Sequence, residues 1–390
     1  MFAPLRSLAV RALSLTGLLI SASALSGCGT DGPVSDHESD HAAIGDPIAV
    51  TFDGGIYLLD GGSLALADEV KLEGFNRLFP VGDGHHLMVS TRDGFRVLDA
   101  VHGEMAEIAF PAAEPGHVVS HAGRVTLFAD GSGEVTIFDP AELDDGAPRT
   151  EVYRAAAPHH GVAVRLSTGE LVVTLGAGGH RTGIAVLDAD RREIARNEDC
   201  PGVHGESTVR GEAVVLGCDN GALIYRDGVI TKVAGPAPDG RIGTLVGTDL
   251  SPIALGDYRR GAENERPQQV SLIDTRDGSL RPVDLGTGYT YRSLARGPRG
   301  EGLVLGTDGR IHVIDPVAGV VVGRIPVIEP WEQPPRWQQP RPALFVRGTD
   351  AYVSDSTTRR VTRVDLVART VEAAATLPGI PNELIGTVGR

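Results

Sequence analysis

The sequence predicts an all-β fold, a β-propeller of eight four-stranded blades, with seven as the alternative count, closed by its own C-terminal strand. Composition is the first reason: 51 glycines and 25 prolines, only 5% aromatic residues and no long stretch of helical periodicity describe a chain of short strands and many turns. A repeat is the second. A short alternating strand running into aspartate recurs as "GGIYLLD" to Asp60, "DGFRVLD" to Asp99, "SGEVTIFD" to Asp139, "RTGIAVLD" to Asp188, "NGALIYRD" to Asp227, "PQQVSLID" to Asp274, "DGRIHVID" to Asp315 and "TRRVTRVD" to Asp365. The spacing of 39 to 50 residues is that of one propeller blade plus variable loops. The third reason is a spare strand, "NELIGTV" from Asn382 to Val388, at the end of the chain.

In chain order, residues 1–27 read as a lipoprotein signal: Arg6 and Arg11, an apolar run from Ala12 to Leu25, then "LSGC" ending at Cys28. Cleavage before Cys28 and acylation of its thiol would anchor the protein to the outer face of a membrane, in the periplasm or at the cell surface. The run falls short of the roughly 20 apolar residues of a permanent span. Residues 28–47 are rich in Gly, Asp, Ser and His without apolar periodicity, which describes a solvated tether. The propeller occupies residues 48–390 as one domain, expected to be monomeric. A net charge of -15 argues against nucleic acid and suits an exported protein that is cation-handling or merely soluble.

Each repeat unit holds an inner strand, a second strand such as "LMVSTRDG" or "VVLGCDNG", the aspartate-terminated third strand and a less regular outer one. The first copy lacks an inner strand, and the C-terminal segment is the element that fills the gap. Closure of that kind removes exposed sheet edges.

Inner strands begin at one rim of the central channel, so residues at their starts converge across blades. With Gly123, Gly169 and Gly211 as register marks, His117, His160 and His204 fall at equivalent positions in three consecutive blades. The other starts, "FNRLF", "GRIGTL", "YRSLA" and "RPALF", offer arginine instead. Neutral imidazoles converging from neighbouring strands suit zinc or a similar divalent metal. Asp130 and Asp219, at second turns of the same sector, are candidates for a fourth ligand or for orienting a ligating histidine, with His159, His180 and Glu206 also within reach. The competing reading of each histidine is a polar rim residue without a ligand. His102 and His121 read as turn residues, and His85 and His86 belong to the opposite rim.

Once Cys28 is lipidated, Cys200 and Cys218 are the remaining thiols, and a disulfide is the default in an exported protein. They lie at the same rim of one blade, where a bridge would hold the loop bearing His204 and contribute about 3 kcal/mol. Ligation of a metal by the two thiolates is the alternative, whereas redox catalysis lacks a C-x-x-C motif. In the tether, "SDHESDH" interleaves His37 and His41 with Asp36, Glu38 and Asp40, either as plain solubilising sequence or as a weak, mobile metal collector. Both tryptophans fall in "VIEPWEQPPRWQQPRP", residues 327–342, a loop that either packs on the last blade or presents an aromatic anchor to a partner.

With "SDHESDH" following the export signal, "APHHGVAV" at 157–164 and "CPGVHGE…VVLGCDNG" at 200–221, the chain resembles the AztD family of periplasmic zinc metallochaperones. The resemblance implies a β-propeller, a Zn2+ cargo passed by direct contact to the solute-binding protein of an ABC zinc importer, and the Cys200–Cys218 disulfide. The family's N-terminal segment is often richer in Asp-His pairs than this one, and the lipobox is a further departure. Two other functions compete: a non-catalytic scaffold lipoprotein binding another envelope protein, and a metal-dependent propeller lactonase or hydrolase. The last calls for a hard metal ringed by Glu, Asp and Asn, and the chain has neither G-x-S-x-G nor H-E-x-x-H. The expectation is therefore a carrier and not an enzyme.

Overall fold

A computed structural model describes residues 42–261 and 266–389. The signal, the candidate lipidation site Cys28 and the tether residues Asp36, His37, Asp40 and His41 lie outside the described residues. Ile44 is already buried and its amide donates to the Val101 carbonyl at 2.8 Å, so the chain is packed from there onward.

Eight antiparallel sheets form the ring of an eight-bladed β-propeller, which decides the blade count in favour of eight. Each sheet runs inner, second, third, outer, as the repeat predicts. The third strands include Gly94–Asp99, Gly221–Arg226 and Arg360–Asp365. The recurring aspartate has a local cause: its carboxylate caps the turn into the outer strand. Asp60 accepts from the Ser63 amide at 2.7 Å, Asp99 from Val101 at 3.0 Å, Asp315 from Val317 at 2.8 Å and Asp365 from Val367 at 2.7 Å. Asp227 departs from this pattern. It occupies a two-residue Asp-Gly turn with φ 49° at Asp227 and 82° at Gly228.

Second and third strands read as continuous apolar runs because both of their faces are covered by neighbouring blades. Ala213–Cys218 is buried along its whole length. Outer strands alternate between exposed and half-buried residues, as in Val320–Pro326, which explains their weaker signal in the sequence. Apolar clusters lie between every adjacent pair of blades. Val164, Val172 and Val186 pack on Val214, Leu216 and Leu223 at one such seam, and Ile48, Val50 and Leu59 pack on Phe345, Tyr352 and Val361 at the closing one.

Closure uses the C-terminal segment as expected. Leu384–Gly386 is the innermost strand of the first sheet, pairing antiparallel with Ile48–Phe52 in the register Val50↔Leu384 and Ile48↔Gly386. Thr51 clamps it, its carbonyl accepting from the Asn382 amide and its hydroxyl from the Glu383 amide, both at 2.8 Å. From the seventh blade, buried Arg292 donates to the Asn382 carbonyl at 2.8 Å and pairs with the Glu383 carboxylate, itself 9% exposed. The sixth blade differs from the rest. Its inner strand is split into Gly240–Arg241 and Leu245–Val246, both paired with Ile253–Arg260.

Glu383→Ala leaves the buried Arg292 guanidinium without its carboxylate and is expected to cost about 3 kcal/mol, read as a lower denaturation midpoint with an unchanged slope.

Candidate metal centre

His117 lies in the inner strand Pro115–His121 of the third blade, His160 just ahead of Ala163–Arg165 in the fourth, and His204 opens His204–Val209 in the fifth. The three converge. Their ring centroids stand 5.0 to 5.2 Å apart, and each offers a nitrogen within 4.8 Å of the other two.

Glycine accompanies every one of them, as Gly116, Gly161 and Gly205. A Cβ at position 116 would run into the Asp130 carboxylate. Gly205, with φ 71°, faces the Gly243 carbonyl of the next blade so closely that a side chain has no room. At two of the three positions the inner strand also carries a bulge, between Pro115 and Val118 and between His204 and Glu206, and bulges bend a strand and re-aim its side chains.

The hydrogen bonds fix which nitrogens face the centre. His160 Nδ1 is 2.5 Å from Asp130 Oδ2, and His204 Nδ1 is 2.6 Å from the Gly243 carbonyl. A carboxylate and a carbonyl only accept, so both Nδ1 atoms carry protons and Nε2 is the nitrogen each ring turns toward the centre. Those two Nε2 atoms lie 3.0 Å apart. That separation is close to the roughly 3.3 Å between ligand nitrogens set about 2.0–2.1 Å from a tetrahedral zinc. The pair is therefore spaced for a shared cation. Glu206 Oε2 adds a carboxylate 3.5 Å from His117 Nδ1.

Burial, with the facing His117, drives the pKa of His204 down to about 2. His160 and Arg181 add to that depression, and the Gly243 carbonyl opposes it. His204 thus stays neutral and able to ligate throughout the physiological range. The side chain of His117 is 15% exposed and that of His160 41%, so solvent reaches the centre from the His160 side.

The other sequence candidates lie elsewhere. Asp130 contacts the centre through His160 Nδ1 and also accepts the Gly161 amide at 3.2 Å, a place behind the ring that suits orienting it. Asp219 pairs with Arg241 at 3.1 Å. His159 is buried against Phe128, with Nδ1 held by the Ala157 carbonyl at 2.9 Å and Nε2 by the Thr174 hydroxyl at 3.1 Å, so both nitrogens are committed to the core. His180 is exposed at the start of a third strand. Cys200 and Cys218 form a buried disulfide with Cα atoms 4.9 Å apart, which excludes them as thiolate ligands and holds the turn leading to His204 against its blade. What the sequence missed is the Gly243 carbonyl, because a backbone acceptor on another blade leaves no residue-type signal. In the Pro/Trp loop, the Trp331 indole donates to the Gly306 carbonyl at 3.0 Å, whereas Trp337 is exposed and meets Phe75 edge-on at 5.2 Å. No helix among the described residues is long and apolar enough to cross a membrane.

No family model matches the chain. The resemblance to AztD is borne out: the chain is 24% identical over 312 residues to the zinc chaperone AztD of Citrobacter koseri, covering 74% of this chain and 71% of that protein. Among solved structures, apo AztD from Citrobacter koseri superposes with a TM-score of 0.76 at 21% identity, over 88% of this chain and 98% of that one. The dihydro-heme d1 dehydrogenase NirN matches at 0.57 and 13% identity, over 87% of this chain and 74% of that one. The structural likenesses establish the propeller, a fold shared by carriers and enzymes.

A histidine kept neutral in the folded protein but free to protonate when unfolded, at its ordinary 6.5, destabilises the native state as pH falls through the window from 6.5 toward about 2. At pH 5 the penalty relative to pH 8 is about 2 kcal/mol. Denaturation of chelator-treated protein at the two pH values is expected to show His204→Gln losing about that much less stability than the unaltered chain.

Proposed function

We propose that this chain is a zinc metallochaperone of the cell envelope, carrying Zn2+ on His117, His160 and His204 and handing it to the solute-binding protein of an ABC zinc importer. The observation that carries the reading is the convergence of three imidazoles, with the Nε2 atoms of His160 and His204 3.0 Å apart and each of these two rings fixed by a proton acceptor behind it. The likeness to a protein named a zinc chaperone supports the choice of cargo. Three imidazole donors also favour zinc over calcium or magnesium, which take oxygen.

Transfer begins at His160. Its side chain is more exposed than that of His117, so a donor from an acceptor protein approaches the metal there while His117 and His204 still hold it. Glu206, beside His117, supplies a carboxylate to complete the coordination. Acylation of Cys28 confines the carrier to the membrane face, and the "SDHESDH" segment, with Asp36, His37, Asp40 and His41, collects metal weakly ahead of the main site. The protein's part is binding and release, with no bond made or broken in a substrate.

Titration of the mature protein with zinc against a chromogenic chelator is expected to give one tight site. His117→Ala, His160→Ala and His204→Ala should each weaken it about 100-fold or more, and Asp130→Asn about 10- to 100-fold through the orientation of His160. Unchanged binding in all three alanine variants would leave the scaffold reading in its place.

A further inference from the structure

We propose that Asp257, in the second strand of the sixth blade, is a positioning residue for the metal centre, acting on His204 through the peptide between Gly243 and Thr244. The inference rests on the zinc-carrier reading and adds to it a residue that touches neither the metal nor its ligands.

The interrupted inner strand of the sixth blade is the place to start. Between Gly240–Arg241 and Leu245–Val246 the regular ladder is lost, and the Asp257 side chain fills the gap. Its Oδ1 accepts from the Gly243 amide at 2.7 Å and from the Thr244 amide at 2.9 Å. The residue is wholly buried, and its other oxygen, Oδ2, accepts from Arg259 Nε at 2.9 Å. A buried carboxylate needs such a set of donors to remain charged.

The geometry has a consequence beyond satisfaction. The Thr244 N–H and the Gly243 C=O are the two ends of one planar peptide group and point in opposite directions. Drawing the N–H onto Asp257 therefore turns the carbonyl outward, toward the fifth blade, where it meets His204 Nδ1 at 2.6 Å. Negative charge on the carboxylate also polarises the peptide and makes the carbonyl a stronger acceptor. A stronger acceptor on Nδ1 fixes the tautomer and raises the donor power of Nε2, the effect that a carboxylate behind a ligating histidine exerts directly. His160 has Asp130 in that role. His204 has Asp257, one peptide removed.

The test compares the mature protein with Asp257→Ala, Asp257→Asn, Arg259→Gln and His204→Ala. Zinc affinity is measured by chelator competition and the visible absorption of the Co2+-loaded site is recorded, alongside thermal melts. Asp257→Ala is expected to weaken zinc binding about 10- to 100-fold and to shift the Co2+ bands. Asp257→Asn, which keeps an oxygen for the two amides but lacks the charge, should weaken binding by a smaller factor. A variant that melts earlier but keeps the affinity and Co2+ spectrum of the unaltered chain overturns the inference. Should Asp257→Ala fail to fold, the pair Asp257→Asn and Arg259→Gln decides: affinity and Co2+ spectrum unchanged in both overturns the proposal, and weaker binding in either supports it. If His204→Ala itself binds zinc as tightly as the unaltered chain, the carrier reading fails and the inference with it. Loss in His204→Ala without loss in Asp257→Ala removes only the inference.

Discussion

Ring closure is the constraint on which the site depends. Three histidines borne by separate blades share a centre only because the inner strands are held at fixed angles around a channel, and those angles are fixed once the last sheet meets the first. The pairing of Leu384–Gly386 with Ile48–Phe52 is short, three residues in register. Thr51, within the first of these strands, and Arg292 of the seventh blade, through Asn382 and Glu383, reinforce it. Every seam between blades then carries its own apolar cluster, so displacement of one blade is opposed by the packing on both sides.

Within that frame, the centre is made by backbone approach as much as by side chains. Glycine next to each histidine lets the neighbouring strand or carboxylate come close, and the bulges at two of the three sites turn the chain there. The resulting group is asymmetric. His204 is half-buried with its pKa driven down, His117 is largely covered and His160 is more open. Such a gradient of exposure suits a cargo that must be held and then surrendered, since a fully enclosed site would release only by opening the fold.

Charge is arranged around the centre at several distances. Asp130 stands directly behind His160, while the Gly243 carbonyl backs His204. Farther round the channel, equivalent strand starts carry Arg77, Arg241 and Arg292 instead of imidazole, and these pair with Glu383 or Asp219. The imidazole cluster therefore belongs to one sector of the ring, and arginine ion pairs take the equivalent places in others. The disulfide lies in that same sector, steadying the turn from Cys200 to His204.

Much of this was legible in the sequence, and the reason is locality. Strand alternation and the turn-capping aspartates are local signals repeated at blade spacing, so they declared the propeller, its strand order and the spare closing strand. Placing His117, His160 and His204 at equivalent starts required only that periodicity, and the lone cysteine pair followed from counting thiols in an exported chain. Asp219, His159 and His180 looked equally eligible because nearness to a rim says nothing about which way a side chain turns or what already holds it. Arg241 claims the first, the Ala157 carbonyl and Thr174 claim the second, and the third faces outward. The role of Gly243 arises from a contact between residues 39 positions apart on two blades, and that of the buried Asp257 behind it from one spanning 14 positions across an interrupted ladder of the sixth. Sequence periodicity determined the ring and the three imidazoles in register. Only the packed ring decided which nitrogens meet and what fixes them, because hydrogen-bond direction is a property of neighbours in space that the order of residues does not contain.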